Sequence, residues 1–401
     1  MDSDSSDDYL KKRKRSKLTR TECPYIKTIN RFVLDFDFEK VCGETMTNVN
    51  VYACLVCGKY LHGRGHGTSA NIHSMEDDHH VFVNLHDKKF FCLPENYEIV
   101  DSSLDDIKRN LDPIFTVDNI ESIPDSSISL TGTVFVPGLT GLNPIRDDSY
   151  LNSVIHALVP LSPIRDIFLT LPPTSAKLTN SFSELVRKIY NPENFKGIVS
   201  PHAFLQTIGR ESNKEFFSAY NDPIKFVDWL LPSLNSLLPP SHSLAQYFQG
   251  TMNGEPFWSL HLDLPPITVF KDETESIPTV PLNDLLSKKL SSSSVSLPPF
   301  LILKINRFVK NDFFTEKDAT IVRYPIRALD LSEFVNDDGI HQYDLVSVVT
   351  HEGTKPDSGH FKTFTVARDG NWFECNGLRV VKVLPQSVAV VESYITIWKR
   401  I

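Results

Sequence analysis

The chain has 401 residues, which is enough for two or three domains with substantial cores. Its apolar fraction of 41% and charged fraction of 23% are ordinary for a soluble globular protein. The formal charge of −9 argues against a protein that coats nucleic acid with its whole surface, although a local basic patch is still compatible with it. No apolar run reaches the roughly 18 residues of a membrane span, and the amino terminus is unlike a secretory signal. We therefore predict an intracellular protein with no membrane contact.

Residues 1–22 are predicted to be a disordered tail, acidic at first and then basic. The segment has little apolar content, so it cannot bury enough surface to order itself. Its basic run, Lys11–Arg15, is typical of a nuclear localisation signal or of an arm that contacts RNA, such as an snRNA. The alternative interpretation is a solvated tail without either role.

The six cysteines are concentrated near the amino terminus, where five of them lie among histidines. This clustering predicts metal binding in a reducing compartment rather than a disulfide framework. We predict that residues 23–100 form one Cys/His-rich module. The cysteines are Cys23, Cys42, Cys54, Cys57, Cys92 and Cys375.

Within this module, Cys54-x-x-Cys57 is followed by His73 and His79. Two thiolates and two imidazoles suit tetrahedral zinc. Spacing alone leaves open which imidazoles bind, and it does not exclude a second site that uses the remaining cysteines. We predict one structural zinc ion. The competing histidines are His62, His66, His80 and His86.

Residues 101–132 are predicted to be a helical linker, and residues 133–401 a large mixed domain. The linker places Leu104, Ile107, Lys108 and Leu111 on one helix face and is expected to become irregular near Pro124–Ser129. The large domain begins with helical patterns and ends in β-branched and apolar segments, which indicates an α+β fold. The predicted helices are 149–158 and 226–238, and the predicted strands are 300–308, 343–349, 361–366, 372–375 and 394–398.

The stretch Gly141–Leu158 resembles the cysteine box of ubiquitin-specific proteases. In that family the pattern runs Gly-Leu-x-Asn-Leu-Gly-Asn-Thr-Cys-Tyr-x-Asn-Ser, and Ser149 stands where the nucleophilic cysteine belongs. The resemblance implies a papain-like fold with His360 as the histidine and Asn376 as the residue that orients it. Four further boxes occur in order, so that the resemblance spans residues from about 135 to 400. They are Asn221–Trp229, Pro298–Phe308, Tyr343–Phe361 and Trp372–Asn376.

Several departures from the family pattern predict that the site has lost its chemistry. A serine hydroxyl is far less acidic than a thiol, so it needs a well-aimed base to attack. Asp147 replaces an asparagine that donates to the oxyanion in active members, and losing one such donor costs on the order of 3 kcal/mol. Lys225 reverses the charge of a family glutamate. The predicted catalytic set is therefore empty, with Ser149, His360, Asn376 and Asp147 as vestigial positions.

The region that carries two Cys-x-x-Cys pairs in the fingers of active members looks shortened. No cysteine occurs between residues 93 and 374, and Tyr247–Leu262 resembles that region closed by a short turn. Shortened fingers imply a weaker hold on ubiquitin, independently of catalysis.

The amino-terminal module resembles the ubiquitin-binding zinc finger of deubiquitinases. Tyr52–Gly58 and His73–Val83 carry the likeness, which implies Cys54, Cys57, His73 and His79 as the zinc ligands. In that family an aromatic residue and a Gly-Arg pair hold the carboxy terminus of ubiquitin. Here Tyr52 replaces the usual tryptophan while Gly63-Arg64 persists, and we predict weak or no ubiquitin binding.

The combination of a basic tail, a degenerate finger and a protease domain without its cysteine resembles a splicing-associated branch of the family. This resemblance implies a nuclear, non-catalytic pre-mRNA splicing factor that scaffolds assembly or maintenance of the spliceosomal tri-snRNP through its proteins. Two alternatives remain: a ubiquitin or ubiquitin-like protease that uses Ser149 with His360 and Asn376, and a ubiquitin-binding adaptor that acts through Arg64.

Overall fold

The computed structural model describes residues 19–146, 148–217, 221–266, 277–291, 293–310, 315–335, 339–355 and 358–401. The chain divides into two compact units, Met1–Leu111 and Asp112–Ile401. In the described part of the chain, no helix is both long enough and apolar enough to cross a membrane.

The first unit is built on a six-stranded sheet. Its strands, in spatial order, are Thr19–Arg20, Tyr97–Ile99, Phe90–Cys92, Val81–Asn84, Val51–Cys54 and Tyr60–His62. In the chain, the α-helix Ser69–Glu76 follows the strand Tyr60–His62. A second helix, Asp105–Leu111, ends the unit. Short 3-10 turns occur at Ile26–Thr28, Arg31–Val33 and Ser102–Leu104.

Two expectations for this part of the chain need correction. The tail was predicted to reach residue 22, but Thr19–Arg20 form a strand that pairs in parallel with Glu98 and Ile99. This pairing is held because the Val100 amide donates to the Arg20 carbonyl and the Arg20 guanidinium stacks on Tyr97. Residues 1–18, which include the basic run, lie outside the described residues. In the linker, Leu104, Ile107 and Leu111 are buried together, whereas Lys108 is exposed because its charge favours water.

The second unit begins with a helical layer. Its two longest helices are the 14-residue Lys177–Tyr190 and the 15-residue Pro223–Leu237, and Ser149–Leu158 has ten residues. In Pro223–Leu237, proline occupies the first helical position and Asp222 caps the amino terminus. The other helices are Val117–Ile120, Ser162–Thr170, His202–Glu211, Ala245–Phe248, Leu282–Leu290 and Pro385–Val388, with 3-10 turns at Glu215–Phe217, Pro240–His242 and Ser332–Phe334.

The main sheet of the second unit has eight strands. Seven follow the order Leu260–Asp263, Phe300–Asn306, Ser393–Arg400, Gln342–Glu352, His360–Val366, Trp372–Asn376 and Arg379–Val383, and Leu329–Asp330 pairs with the strand Gln342–Glu352. Smaller sheets are formed by the remaining strands. These are Ser127–Ile128 with Val134–Phe135, Gly141–Leu142 with Ile198–Val199, Gly250–Met252 with Glu255–Phe257 and Val295–Ser296, Thr279–Pro281 with Ile321–Arg323, and Phe308–Lys310 with Thr315–Lys317.

Alternation along the central strands divides the core between two faces of the sheet. In Phe300–Asn306, Phe300 and Ile302 pack with the helical layer, whereas Leu301, Leu303 and Ile305 belong to a second apolar cluster that includes Trp398. The predicted α+β class is confirmed by this arrangement of helices on a predominantly antiparallel sheet.

The segment expected to be an irregular linker near Pro124–Ser129 contains a strand. Ser127 pairs with Phe135, and Ile128 pairs with Val134. The Asn253-Gly254 turn closes the hairpin between Gly250–Met252 and Glu255–Phe257, and both of its residues have positive φ, as a two-residue hairpin turn requires.

Candidate zinc finger and protease-like site

Four metal-ligating side chains converge in the first unit. One ligand atom each from Cys54, Cys57, His73 and His79 lies within 4.8 Å of the others. The Cys57 Sγ lies 3.4 Å from the His73 Nε2, and the His79 Nδ1 lies 3.1 Å from that same nitrogen. Two thiolates and two imidazoles that converge on one point are the donor set of a tetrahedral structural zinc site, so these residues fit a zinc ion.

The local fold explains why these four residues meet. Cys54 ends the strand Val51–Cys54, and the following turn is closed by the Gly58 amide, which donates to the Cys54 carbonyl. Gly58 has φ of +80°, and a Cβ there would lie 2.6 Å from the Val33 carbonyl oxygen, so the turn requires glycine. His73 comes from the helix Ser69–Glu76, and His79 follows that helix.

The buried surroundings of these four side chains favour the uncharged forms of Cys54 and His73. Burial raises the pKa of the Cys54 thiol to about 12, although hydrogen bonds from the amides of Cys57 and Val56 act in the opposite direction. Burial also lowers the pKa of His73, which keeps the imidazole neutral, as a metal ligand must be. A bound Zn²⁺ would supply the positive charge that a thiolate needs here.

Asp77 is a functional residue that the sequence reasoning missed. Its Oδ2 lies 2.7 Å from the His73 Nδ1, one helical turn away, and this contact directs the other ring nitrogen toward the cysteines. The spacing of four residues on one helix was a signal that could have identified it.

The competing histidines lie elsewhere. His80 is held between the Leu93 carbonyl, 2.6 Å from its Nδ1, and the Asp78 carboxylate, 2.8 Å from its Nε2. His62, His66 and His86 do not belong to the cluster, and the described residues contain no second group of three metal-ligating side chains.

Arg64 already has partners inside the finger. Its guanidinium lies 4.2 Å above the Phe91 ring, and its Nη1 donates to the Asn96 Oδ1 at 2.5 Å. Tyr52 is buried and packs edge-to-face on the same Phe91 ring. A carboxylate that sought Arg64 would therefore have to compete with these contacts.

In the second unit, Ser149, His360 and Asn376 come together at one edge of the helical layer. Ser149 is the first residue of the helix Ser149–Leu158, and His360 and Asn376 lie on the adjacent strands His360–Val366 and Trp372–Asn376. The Thr363 hydroxyl donates to the Ser153 carbonyl at 2.7 Å and ties that helix to the sheet. Asp147, the fourth position predicted to be vestigial, lies outside the described residues.

His360 and Asn376 are hydrogen-bonded to each other, whereas Ser149 is hydrogen-bonded to the backbone. The His360 Nε2 and the Asn376 Oδ1 are 2.5 Å apart, so the histidine is oriented by its expected partner. The Ser149 Oγ instead accepts from the Phe361 amide at 3.1 Å. Both Ser149 and His360 are described, and no hydrogen bond joins them.

A cavity of about 260 Å³ lies beside this set. Both polar atoms of the Asn152 amide and the His156 Nε2 are buried there without a hydrogen-bond partner among the described residues. Complete burial lowers the pKa of His156 to about 4, so the ring is neutral. The lining residues are Pro144, Ser149, Asn152, Ser153, His156, His360, Phe361, Cys375, Asn376, Gly377, Leu378 and Arg379.

Lys225, the predicted charge reversal, is exposed on the helix Pro223–Leu237. Asp222, which caps that helix, accepts from the Ile224 amide and from the Tyr394 hydroxyl. Burial raises the pKa of Asp222.

Comparison with known proteins places both units in one family. Residues 140–398 match the family model described as "Ubiquitin carboxyl-terminal hydrolase", and residues 40–104 match "Zn-finger in ubiquitin-hydrolases and other protein". Human "Ubiquitin carboxyl-terminal hydrolase 39" is 39% identical over 94% of this chain and 80% of its own length. "Probable mRNA-splicing protein ubp10" of Schizosaccharomyces pombe is 34% identical over 94% of this chain and 88% of its own.

Solved structures agree with this placement. A "Crystal structure of an essential yeast splicing factor" matches with a TM-score of 0.84 and 28% identity, over 94% of this chain and 99% of that one. A ubiquitin-aldehyde-bound SAGA Ubp8 module matches with a TM-score of 0.54 at 16% identity, over 91% of this chain and 90% of that one, and shares the fold. The chain, a zinc-finger module followed by a protease-type fold, belongs to the ubiquitin carboxyl-terminal hydrolase family.

Proposed function

We propose that this protein is a nuclear, non-catalytic pre-mRNA splicing factor that scaffolds assembly or maintenance of the spliceosomal tri-snRNP. The main support is sequence similarity along nearly the whole chain to two relatives named as splicing proteins. They are the ubp10 protein of Schizosaccharomyces pombe and the "Pre-mRNA-splicing factor SAD1" of Saccharomyces cerevisiae. Tri-snRNP proteins are the proposed partners, and snRNA contact through Lys11–Arg15 is a further part of the proposal.

The absence of catalysis is proposed from the vestigial site. Ser149 stands at the position of the family's nucleophilic cysteine, and its oxygen is engaged by the Phe361 amide rather than by His360. A hydroxyl needs a base within hydrogen-bond reach to become a nucleophile. The proposed catalytic set is therefore empty.

One zinc ion held by Cys54, Cys57, His73 and His79 is proposed as the structural centre of the finger. The support is the convergence of four ligand atoms and the carboxylate that orients His73. Structural zinc contributes directly to folding, so its loss would remove a docking module rather than a reaction centre. The proposed modules are the finger at 23–100, a helical linker at 101–132 and the protease-like domain at 133–401.

A second candidate function is hydrolysis of ubiquitin or a ubiquitin-like protein by Ser149. The observation that favours it is the intact pair of His360 and Asn376, 2.5 Å apart. Turnover of a fluorogenic ubiquitin substrate, abolished by Ser149→Ala, would establish this activity and overturn the non-catalytic reading.

Complementation tests the proposed function. Nuclear extract depleted of the endogenous protein is supplied with wild-type chain, Ser149→Ala or Cys54→Ser, and spliced product and tri-snRNP are measured. We expect Ser149→Ala to restore both and Cys54→Ser to restore neither. His66→Ala, an exposed histidine outside the zinc cluster, is the matched control and should behave as wild type. Full rescue by a Cys54→Ser protein that binds no zinc would refute the role of the finger.

A further inference from the structure

The strand Arg379–Val383 has one free edge. It is the last strand of the main sheet and pairs along its whole length with Trp372–Asn376, with no register shift. Among the described residues, no hydrogen bond uses the opposite edge of this strand. We call this element the edge strand.

The backbone of the edge strand presents a regular pattern. Asn376 and Arg379 flank a two-residue turn in which Gly377 has φ of +56°, so they form the first bonded pair of the hairpin. Hydrogen bonding alternates along an antiparallel ladder, and the N–H and C=O groups of Val380 and Lys382 therefore point away from the sheet. Such a row is a template for another extended chain.

The edge strand is protected against pairing mainly by the charges of Arg379 and Lys382, which discourage every chain that is not acidic. Three of its five residues are valine, and it contains no proline and no bulge, two common devices that protect free edges. Two large apolar side chains lie at its ends: Leu378 is 50% exposed and Leu384 is 73% exposed. These residues offer apolar contacts at both ends of a docked segment.

Charge indicates which segment fits. Arg379 and Lys382 are exposed, and neither forms an ion pair within the described residues. An acidic segment would supply the missing carboxylates. A second copy of the edge strand is a poor occupant, because antiparallel pairing about Val381 would place Lys382 of one copy diagonally across from Lys382 of the other, on the same face and without an anion.

We propose that the edge strand docks an extended acidic segment of a partner protein by strand addition. Main-chain hydrogen bonds to Val380 and Lys382 give affinity, and Arg379 and Lys382 select acidic sequences. The inference rests on the proposed scaffold role, since it supplies a surface for a protein partner that requires no catalysis.

Peptide binding by the isolated full chain tests the proposal. The probe is the labelled peptide acetyl-Glu-Val-Glu-Val-Thr-Val-Glu-amide, titrated by fluorescence anisotropy against a version with lysine for each glutamate. We expect saturable binding of the acidic peptide alone, together with slowed hydrogen exchange at the amides of Val380 and Lys382. The splicing assay is separate, so its failure and failure of this test are distinguishable.

Variants identify the surface. Lys382→Pro removes an outward N–H, and the double change Arg379→Glu and Lys382→Glu reverses the charge; each should weaken binding about tenfold or more. The matched control reverses Lys288 and Lys289 on the helix Leu282–Leu290 and should leave affinity unchanged. Absence of acidic-peptide binding, equal binding of the lysine peptide or an RNA oligomer, self-association through this edge, or insensitivity to the charge reversal would each overturn the proposal.

Discussion

The amide of Phe361 donates to the Ser149 hydroxyl oxygen at 3.1 Å, across 212 residues of sequence. This bond links the first residue of the helix Ser149–Leu158 to the strand that begins at His360. The Ser149 hydroxyl thus accepts a hydrogen bond from the backbone and has none with the His360 imidazole. We conclude that Ser149 joins two structural elements in this protein.

Replacing Ser149 should therefore affect stability and leave turnover unchanged. Ser149→Ala removes one neutral hydrogen bond and is expected to lower the free energy of unfolding by about 1 kcal/mol. Urea unfolding measures that change, and a fluorogenic ubiquitin substrate measures hydrolysis by wild type and variant side by side. Hydrolysis by the wild type that disappears in the variant would contradict this prediction.

Much of the second unit could be predicted because its elements have strong local patterns. The helix Ser149–Leu158 was predicted with the bounds that the structure has, and the strand predicted at 372–375 differs by one residue. Short pairs such as Ser127–Ile128 with Val134–Phe135 were missed, because two residues carry no periodicity and the pairing depends on tertiary contacts.

The residues of the candidate sites also differ in how far the sequence could predict them. Residue type and spacing indicated a Cys/His zinc site, and the family resemblance selected His73 and His79 among the histidines. The contacts of Asn96 with Arg64 and of Phe361 with Ser149 depend on the fold. A backbone amide leaves no signature in the sequence, so the Phe361 contact had no signal that could reveal it.

Zinc affinity should depend on Asp77 and not on Asp78. Asp77 orients His73, so Asp77→Asn is expected to weaken zinc binding about 10–100-fold. Asp78→Asn is a matched control, because Asp78 contacts His80, which lies outside the cluster. Competition with a chromophoric zinc chelator measures both affinities. Equal losses in the two variants would exclude a specific orienting role for Asp77.

A buried ion pair makes stability depend on pH. Lys304 is fully buried and pairs with Asp228, which also accepts from the Ser259 hydroxyl at 3.0 Å. Burial opposes ionisation of Asp228, but the nearby His261 imidazole, 3.8 Å away, the charge of Lys304 and the hydrogen bond from Ser259 outweigh it and lower the pKa of Asp228 to about 2.

A carboxylate with a depressed pKa stabilises the fold at pH values above its pKa in the unfolded chain, which is about 3.9. It loses that contribution as the pH falls toward about 2. Because the Asp228 side chain is 42% exposed, we expect a loss of only about 1 kcal/mol across this window. Urea unfolding of wild type and of Asp228→Asn between about pH 2 and 6 isolates the contribution of this carboxylate. If the difference in unfolding free energy between wild type and Asp228→Asn does not change with pH, the predicted contribution of Asp228 is wrong.

At neutral pH, Asp228→Asn should cost more than Lys304→Met. The first change leaves the buried Lys304 ammonium with only the weaker attraction of Asp222, at a cost of about 2 kcal/mol, whereas the second removes the buried charge and keeps most of the side-chain volume. Unfolding free energies of the two single variants decide between them. A larger loss for Lys304→Met would show that packing and hydrogen bonds of the ammonium matter more than its charge.

Arg64 provides the last prediction, because its contacts separate a structural finger from a ubiquitin-binding one. Its guanidinium stacks on Phe91 and bonds to Asn96, so Arg64→Ala should lower the stability of the finger by about 1 kcal/mol. Titration with free ubiquitin should show weak or no binding for wild type and no further change for the variant. The matched variant Asn96→Gly, which tolerates the φ of 62° at this position, frees one guanidinium nitrogen while it keeps the aromatic contact. If wild type binds ubiquitin with micromolar affinity and Arg64→Ala abolishes that binding, then the guanidinium exchanges its internal partners for a carboxylate and the adaptor function gains support.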